Sequence, residues 1–313
     1  MADTRDLREV YKDTLCTLAE EDKKICIVEA DLMNATGTPG FKSRFPERAF
    51  DVGVAEANMV GVASGLAAAG MIPFAASFGC FAARRAYDQF FLSGNYSGLK
   101  VKLVGTDPGV SAIYNGGTHM PFEDIAMMRA VPGLTILEPC DRRSLEELIR
   151  QAAYLEGSVY IRLHRKGGLS LYDENTSFEI GKGVVVREGT DLTIIAAGLV
   201  LMEEAVKAVE ILEQKGISAA LIDMHTIKPL DNDLVLEYAG KTGAVLTCEN
   251  GQAAGGLGGA VAELLCDTKP VPLSRLGVKD EFGQVGTLDY LKEAYGFTAE
   301  NIVKEAENLV KRK

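Results

Sequence analysis

Short runs of β-branched and other apolar residues alternate along the chain with longer segments that are amphipathic or rich in small residues. This alternation is typical of parallel strands joined by crossover helices. In the first half, the pattern predicts strands at Ile25–Glu29, Val101–Val104, Leu134–Glu138 and Val159–Leu163. It predicts helices at Asp6–Glu20, Ala55–Ala69, Asp124–Ala130 and Ser144–Tyr154. Residues 1–165 are therefore predicted to form a doubly wound α/β domain.

The alternation stops after residue 163. Residues 164–183, HRKGGLSLYDENTSFEIGKG, are rich in glycine and charge and lack helical periodicity, which predicts a linker with room for a short hairpin. A second alternation then predicts strands at 192–198, 218–224 and 244–249, and helices at 201–215, 231–242, 256–266 and 299–311. The fold class predicted for the chain is α/β, with two doubly wound domains at 1–165 and 191–313 joined by a linker at 166–190.

The charge balance excludes some classes of partner. The 313 residues include 33 Lys and Arg against 44 Asp and Glu, for a net charge of −11. This charge opposes binding to nucleic acid or to an anionic membrane. The longest apolar stretches, such as residues 60–76, are rich in Ala and Gly and are interrupted by Pro73, so they suit packed helices and strands better than a membrane span.

The cysteines and the N-terminal sequence indicate a cytoplasmic protein. The six cysteines are scattered, with no CxxC pair and no histidine at metal-ligand spacing, which is typical of reduced, buried thiols. The N-terminal sequence MADTRDLREVYKDTL is charged and amphipathic and lacks the apolar core of a signal peptide.

Glu56 is the first candidate for chemistry. It follows the strand-like run FDVGV at the start of a predicted helix, at the carboxyl edge of the sheet, where doubly wound folds bind their ligands. Small residues recur behind it at helical spacing, at Ala57, Gly61, Gly65 and Ala68. Such a face can pack closely against another backbone. A glutamate at a helix N-terminus also stabilises the helix electrostatically, so its position alone leaves both roles open.

A long glycine-rich loop, GTDPGVSAIYNGGTHMPFED at residues 105–124, follows the next predicted strand. Loops at this edge often carry binding residues, and His119 is the candidate here, with a purely structural surface role as the alternative. His164 and His225 each follow a strand-like run and are predicted to be structural. A further segment, GGLGGAVAE at 255–263, lacks the GxGxxG spacing and a Walker lysine, so a close-packed helix start is favoured over a phosphate site.

Three segments, in this order and spacing, resemble the C-terminal half of transketolase, and specifically the smaller chain of two-subunit transketolases. They are FDVGVAEANMVGVASGLA, FGCFAARRAYDQ and NGGTHMPFEDIAMMRAVPGLTILEPCD. The second half agrees, with HTIKPLD, ENGQAAGGLGGAVAE and GVKDEFGQVG. The resemblance covers essentially the whole chain. It implies a pyrimidine-binding domain for thiamine diphosphate followed by a transketolase C-terminal domain.

The resemblance implies roles on the cofactor side of an active site. Glu56 matches the glutamate that faces the aminopyrimidine ring, where a protonated carboxyl favours the imino tautomer that removes the C2 proton. Phe78 and Phe81 match the aromatic pair that packs on the ring, and Asp31 aligns with an aspartate near the cofactor. A helix N-terminus favours the charged carboxylate, whereas burial against apolar walls favours the protonated form. We expect the effect of burial to be the larger one at Glu56.

On the substrate side, His119 matches a histidine that faces the sugar, and Arg165 matches an arginine placed to meet the sugar phosphate. Two positions depart from the family pattern. Asp107 stands where a second active-site histidine is usual, and Asn115 where an aspartate that reads donor hydroxyls is usual. The expected reaction is therefore transfer of a two-carbon ketol unit from a ketose to an aldose, with an unusual sugar such as a deoxy, branched or sulfonated one.

No GDG motif with a downstream asparagine occurs in the chain. In the family that motif carries Mg²⁺ and the cofactor diphosphate, because hard oxygen ligands neutralise the phosphates. The resemblance therefore implies a partner subunit that supplies both, in a two-plus-two heterotetramer with thiamine diphosphate where the chains meet. No metal ligand is expected in this chain.

Three alternatives stay open. The beta subunit of a 2-oxo acid dehydrogenase decarboxylating component shares both domains and the glutamate, although the THMPFED and LEPCD runs favour transketolase. Half of a deoxyxylulose phosphate synthase is disfavoured because that enzyme is normally one chain. A catalytically lapsed, regulatory subunit is disfavoured because Glu56, Phe78, Phe81 and His119 are all retained.

Overall fold

The computed structural model describes residues 5–313, in which two β-sheets are each flanked by helices. The strands are β1 (Ile25–Glu29), β2 (Ala49–Asp51), β3 (Ile72–Phe78), β4 (Lys102–Thr106), β5 (Thr135–Leu137), β6 (Val159–Leu163), β7 (Val184–Arg187), β8 (Leu192–Ala196), β9 (Ala219–Asp223), β10 (Thr226–Lys228), β11 (Val245–Gln252) and β12 (Leu273–Val278). The α-helices are α1 (Leu7–Glu21), α2 (Met33–Thr36), α3 (Pro39–Arg44), α4 (Glu56–Ala68), α5 (Tyr87–Gln89), α6 (Asp124–Arg129), α7 (Arg142–Tyr154), α8 (Gly198–Gln214), α9 (Asn232–Thr242), α10 (Leu257–Asp267), α11 (Leu288–Tyr295) and α12 (Ala299–Val310).

Other helical turns complete the loops. Residues Pro46–Arg48, Gly109–Asn115 and Gly117–His119 form 3₁₀ turns. Phe81–Arg85 and Phe90–Tyr96 are π-helical. The wider π turn is rare and is often found at functional sites, and it was not predicted from the sequence.

The first sheet has the strand order β10-β5-β6-β4-β3-β1-β2, and its neighbours are parallel except for β10. Both faces are buried: Ile27 belongs to the core beneath α1 and α7, while Val28 belongs to the core beneath α4. Successive residues of a strand point to opposite faces, which explains why these strands are continuous apolar runs in the sequence. β1 and β6 have the predicted bounds.

The second sheet has the order β12-β11-β8-β9-β7, with β7 antiparallel to its neighbour β9. β7 lies within residues 166–190, so the last part of the predicted linker belongs to this sheet. Residues 164–183 contain no strand, so the short hairpin considered for this segment is not formed there.

The second half of the chain also completes the first sheet. β10 pairs antiparallel with β5, with Thr226 opposite Leu137, and the Glu138 N–H donates to the carbonyl of His225 over 2.9 Å. The two sheets are thus tied together at this edge. Parallel strands bring their carboxyl ends to one side of the first sheet, and the loops that follow β2, β3, β4 and β6 carry most of the candidate site residues.

Candidate functional site

Glu56 begins α4 and is buried, with 1% of its surface exposed. Its Oε1 lies 3.5 Å from the Ser77 hydroxyl, which is a weak contact. Its Oε2 accepts a 2.7 Å hydrogen bond from Nη1 of Arg85. Arg85 was not anticipated from the sequence; it ends the π-helical turn that starts at Phe81. The surroundings of Glu56 are therefore only partly apolar, since a cation reaches its carboxylate.

Three rings form an aromatic wall beside this pair. The centroids of Phe78 and Phe81 are 6.1 Å apart, and His119 lies 5.4 Å from Phe78 and 5.1 Å from Phe81, with edge-to-face geometry at each contact. The guanidinium of Arg85 lies 4.5 Å from the Phe81 centroid. Edge-to-face rings and a cation over a ring face are both stabilising, so the wall is held from several sides.

Arg165 connects the same wall to the loop after β4. Its guanidinium lies 5.5 Å from the centroid of Phe78, and its Nε donates to Oδ1 of Asp107 over 2.6 Å. Burial raises the pKa of Asp107, while the Arg165 charge opposes that rise. The hydroxyl of Thr106 donates to the second carboxylate oxygen over 3.1 Å, so both oxygens of Asp107 have partners.

An unbroken series of contacts therefore brings together most of the predicted site residues. The series contains Glu56, Arg85, Phe81, His119, Phe78, Arg165 and Asp107. The structure does not bring Asp31 or Asn115 into it. Asp31 is exposed after β1, in the left-handed region with φ 61°, and its N–H donates to the Asp51 carboxylate over 2.9 Å. Asn115 is exposed at the end of the 109–115 turn.

A cavity of about 370 Å³ opens beyond Arg165, between the two halves of the chain. Asp107, His164 and Arg165 line it from the first half, and Leu199 and Glu203 from the second. His164 is buried, and its Nδ1 lies 3.0 Å from the Ser111 hydroxyl. His225, in contrast, is buried between the sheets, where burial lowers its pKa to about 4.

Asn250 is a second residue that sequence reasoning did not single out for the site. It lies on β11 and is fully buried. Its side chain accepts a hydrogen bond from the Val110 N–H over 3.0 Å and donates to the Pro108 carbonyl over 2.8 Å. Gly109 lies between them, with φ 53°, and a Cβ there would come within 2.0 Å of the Asn250 amide oxygen. The second half of the chain thus fixes the loop that begins at Asp107.

A buried charge cluster supports the same region. Arg162, with 1% exposed, donates from Nε to Asp124 over 2.9 Å and from Nη1 to Glu138 over 2.8 Å. Its Nη2 also donates to the carbonyls of Pro121 and Asn250. Because the guanidinium is paired with two carboxylates, the cluster can persist in the interior. It fixes the end of the loop at 105–124 against β11.

The GGLGG segment is filled by the protein itself. Glu249 accepts hydrogen bonds from the N–H groups of Leu257 and Gly258, both at 2.8 Å. A Cβ at Gly256 would lie 1.7 Å from the Glu249 carboxylate, so only glycine fits. The prediction of a close-packed helix start is confirmed.

Residues 5–313 contain no group of three or more His, Cys, Asp or Glu side chains arranged to hold a metal ion. None of the helices in that part of the chain is both long and apolar enough to cross a bilayer. The six cysteines are unpaired, and all except Cys266 are buried.

Comparison with known proteins gives matches over nearly the whole chain. Residues 3–168 match the family model described as the transketolase pyrimidine-binding domain, and residues 181–302 match the transketolase C-terminal domain. The 6-deoxy-6-sulfo-D-fructose transketolase subunit of Clostridium sp. (strain MSTE9) is 50% identical over 307 residues, which cover 98% of this chain and 95% of the relative.

Two other matches also cover nearly the full length of both chains. One of the subunits of the apulose-4-phosphate transketolase of Phocaeicola vulgatus is 36% identical over 307 residues, 97% of each chain. A solved structure described as a split-gene transketolase in an inactive β4 tetramer is 40% identical, with a TM-score of 0.91, and the match covers 98% of this chain and 99% of that one. The fold and the chain length are thus shared with these proteins.

Proposed function

The chain belongs to the transketolase family, as a small subunit of the two-part kind, and we propose that with a large subunit it transfers a two-carbon ketol unit from a ketose to an aldose. The family implies thiamine diphosphate as the cofactor. The observation that carries the proposal is the buried carboxylate of Glu56 beside the wall of Phe78, Phe81 and His119.

The residues present fit the pyrimidine half of that cofactor. Oε1 of Glu56 has only the weak 3.5 Å contact with Ser77, so it is available to share a proton with a ring nitrogen. Phe78 and Phe81 offer apolar faces to a flat heterocycle. When bound, the thiazolium would supply the nucleophilic carbon that the reaction requires. Glu56 would hold or release a proton at the pyrimidine nitrogen, and the two phenylalanines would orient the ring and exclude water.

On the sugar side, we propose that His119 donates a hydrogen bond to a substrate hydroxyl or moves a proton there. Thr118 Oγ1 lies 2.9 Å from Nδ1 of His119, and this contact orients the imidazole. Arg165 would bind the acidic end of the sugar, with Asp107 beside it and the exposed Asn115 farther along the same loop. Asp31, at the carboxyl end of β1, would approach the cofactor from the neighbouring loop.

The large subunit would supply the diphosphate and Mg²⁺ site, in a two-plus-two assembly. One observation supports a second chain. The small-residue face of α4 is uncovered, because Gly61 and Gly65 are exposed and nothing lies within 4 Å of a Cβ built on either. The relative described as an inactive β4 tetramer is consistent with the need for a second kind of chain.

The substrate would be an uncommon sugar with an acidic end group. The relatives named above act, by their names, on a sulfonated fructose and on apulose 4-phosphate. In this chain, Asp107 and Asn115 would change which sugars the site accepts. A cytoplasmic location is supported by the unpaired cysteines, which are typical of a reducing compartment.

Glu56→Gln in the assembled enzyme tests the proposal. We expect kcat to fall about 10²- to 10⁴-fold, since general acid–base catalysis contributes that much. Glu300→Gln is the matched control, because Glu300 is an exposed glutamate in the first turn of α12 and reproduces the helix-terminal charge alone. Equal turnover of the two variants would contradict the role of Glu56.

The need for a partner is tested by titrating thiamine diphosphate with Mg²⁺ into this subunit alone and into the mixture of both subunits. We expect heat of binding only in the mixture. Tight binding by this subunit alone would contradict the division of the site between two chains.

A further inference from the structure

The charge of Arg165 is already compensated by a residue of its own chain. Asp107 is 2% exposed, and its carboxylate lies 2.6 Å from Nε of Arg165. This distance is typical of a charge-assisted hydrogen bond between ions. Because Nε is occupied, Arg165 cannot present the Nε and Nη edge of its fork to a ligand. Only the donors of its Nη groups remain for a bound anion.

Two other cations that line the cavity, Arg8 and Lys166, share a single carboxylate. Arg8 lies 3.6 Å from the carboxylate of Asp6, and Lys166 lies 3.0 Å from the same carboxylate. Glu203 also lines the cavity, and it lies 3.7 Å from Lys207 and 3.8 Å from Lys292. Among the described residues, the lining therefore holds little uncompensated positive charge. A site built for a doubly charged anion would instead be expected to hold an excess of cationic donors.

The backbone conformation fixes this arrangement. Asp107 has φ 55°, in the left-handed region that aspartate adopts more readily than most residues. Ile113, on the same loop and lining the same cavity, has φ 41° and ψ −116°, which is an outlier for a β-branched residue. Strained residues of this kind persist where the surrounding structure holds them, and they cluster at functional sites. Asn250 supplies part of that support.

We propose that Asp107 is a specificity-determining residue: by neutralising Arg165, it makes the cavity accept a sugar whose far end carries a single negative charge, such as a sulfonate, in preference to a phosphate. This inference rests on the proposed function, because it names the substrate class of the same site. A phosphate monoester carries a charge of about −1.5 to −2 at pH 7, whereas a sulfonate carries one charge. The carboxylate of Asp107 therefore repels the phosphate more strongly.

The first test compares three ketoses that differ only in the end group, which is a phosphate, a sulfonate or a hydroxyl. For the assembled wild-type enzyme, we expect kcat/KM to be lowest for the phosphate. In Asp107→Asn, we expect the ratio of kcat/KM for phosphate over hydroxyl to rise by about tenfold or more, because one like charge is removed near the anion. Asp280→Asn is the matched control, since Asp280 is an exposed aspartate that also has φ 55°. A ratio that changes less than twofold in Asp107→Asn would overturn the inference.

The second test does not require turnover. Inorganic phosphate is titrated into the assembled wild-type protein, into Asp107→Asn and into Asp107→Asn with Arg165→Gln. We expect Asp107→Asn to bind phosphate at least about tenfold more tightly than the wild type, and the double variant to lose that gain. Equal phosphate affinity in the wild type and in Asp107→Asn would overturn the inference. An assembled wild type that transfers no ketol unit from any of the three ketoses would contradict the proposed function instead, while the phosphate titration still decides the role of Asp107.

Discussion

The guanidinium of Arg85 lies 2.7 Å from the carboxylate of Glu56, which joins a half-exposed cation to a buried acid. The two residues are 29 positions apart in the chain. An ionised carboxylate is costly to bury without a partner, and Arg85 provides one at the entrance to the site. The ion pair therefore couples the stability of this subunit to the charge of Glu56, the residue that we place at the cofactor.

A double-mutant cycle on this pair should reveal strong coupling. Arg85→Met leaves the carboxylate of Glu56 buried without its cation, so we expect a large loss of stability in the wild-type background and a much smaller one in Glu56→Gln. The expected coupling is about 1–3 kcal/mol in urea unfolding of the purified subunit at fixed protein concentration. The exposed pair Arg44 and Glu20 is the control, with coupling of about 1 kcal/mol or less. Equal losses for Arg85→Met in both backgrounds would contradict the prediction.

The contribution of Glu29 to the stability of the fold should decrease as the pH rises from about 4.5 to about 8. Burial raises the pKa of Glu29 to about 8, even though the hydroxyls of Thr36 and Thr38 donate to it. The folded state therefore binds a proton in this range that the unfolded state has lost, and the free energy of unfolding falls with pH. One such group contributes at most about 1.4 kcal/mol per pH unit.

Glu29→Gln isolates this contribution. The amide is neutral at every pH and its oxygen can still accept from the two threonines, so we expect a flatter dependence of the unfolding free energy between pH 5 and 8. Glu20→Gln, at an exposed position, should leave the slope unchanged. The measurement is urea unfolding at each pH, and an identical slope for the wild type and Glu29→Gln would exclude this role for Glu29.

Asn250→Ala should impair sugar binding more than cofactor binding. The substitution removes both hydrogen bonds to the loop at Pro108 and Val110, so the part of the loop next to Asp107 loses these contacts with β11. We expect KM for the sugars to rise about tenfold, which corresponds to the loss of about one hydrogen bond in a buried site, while the affinity for thiamine diphosphate stays within twofold.

The control for this prediction is Asn301→Ala. Asn301 also bonds a backbone carbonyl, that of Gly296, over 2.9 Å, but it lies on α12, away from the proposed site. We expect it to lower stability without changing the KM for sugars. If both variants change the KM for sugars and the affinity for thiamine diphosphate to the same extent, Asn250 stabilises the fold and does not specifically position the loop.

Local patterns in the sequence predicted several elements closely, although β3, β7 and β12 were not among the predicted strands. β1 and β6 have the predicted bounds, and α4 begins one residue from the predicted start. These elements follow from the period of apolar residues, which is set by the geometry of each helix or strand alone. The short β10 was not predicted, because three residues carry too little pattern and its place on the first sheet depends on β5.

The sequence by itself therefore determined the class of fold and the residue types from which a site could be built, while the tertiary structure decided which of them meet. Asp107 and Arg165 are 58 positions apart, and Asn250 is 140 positions from Val110. Neither pairing leaves a periodic trace in the sequence. Such contacts form only when both sheets have formed and packed against each other. Their geometry is a property of the packed chain, because no single segment contains both partners.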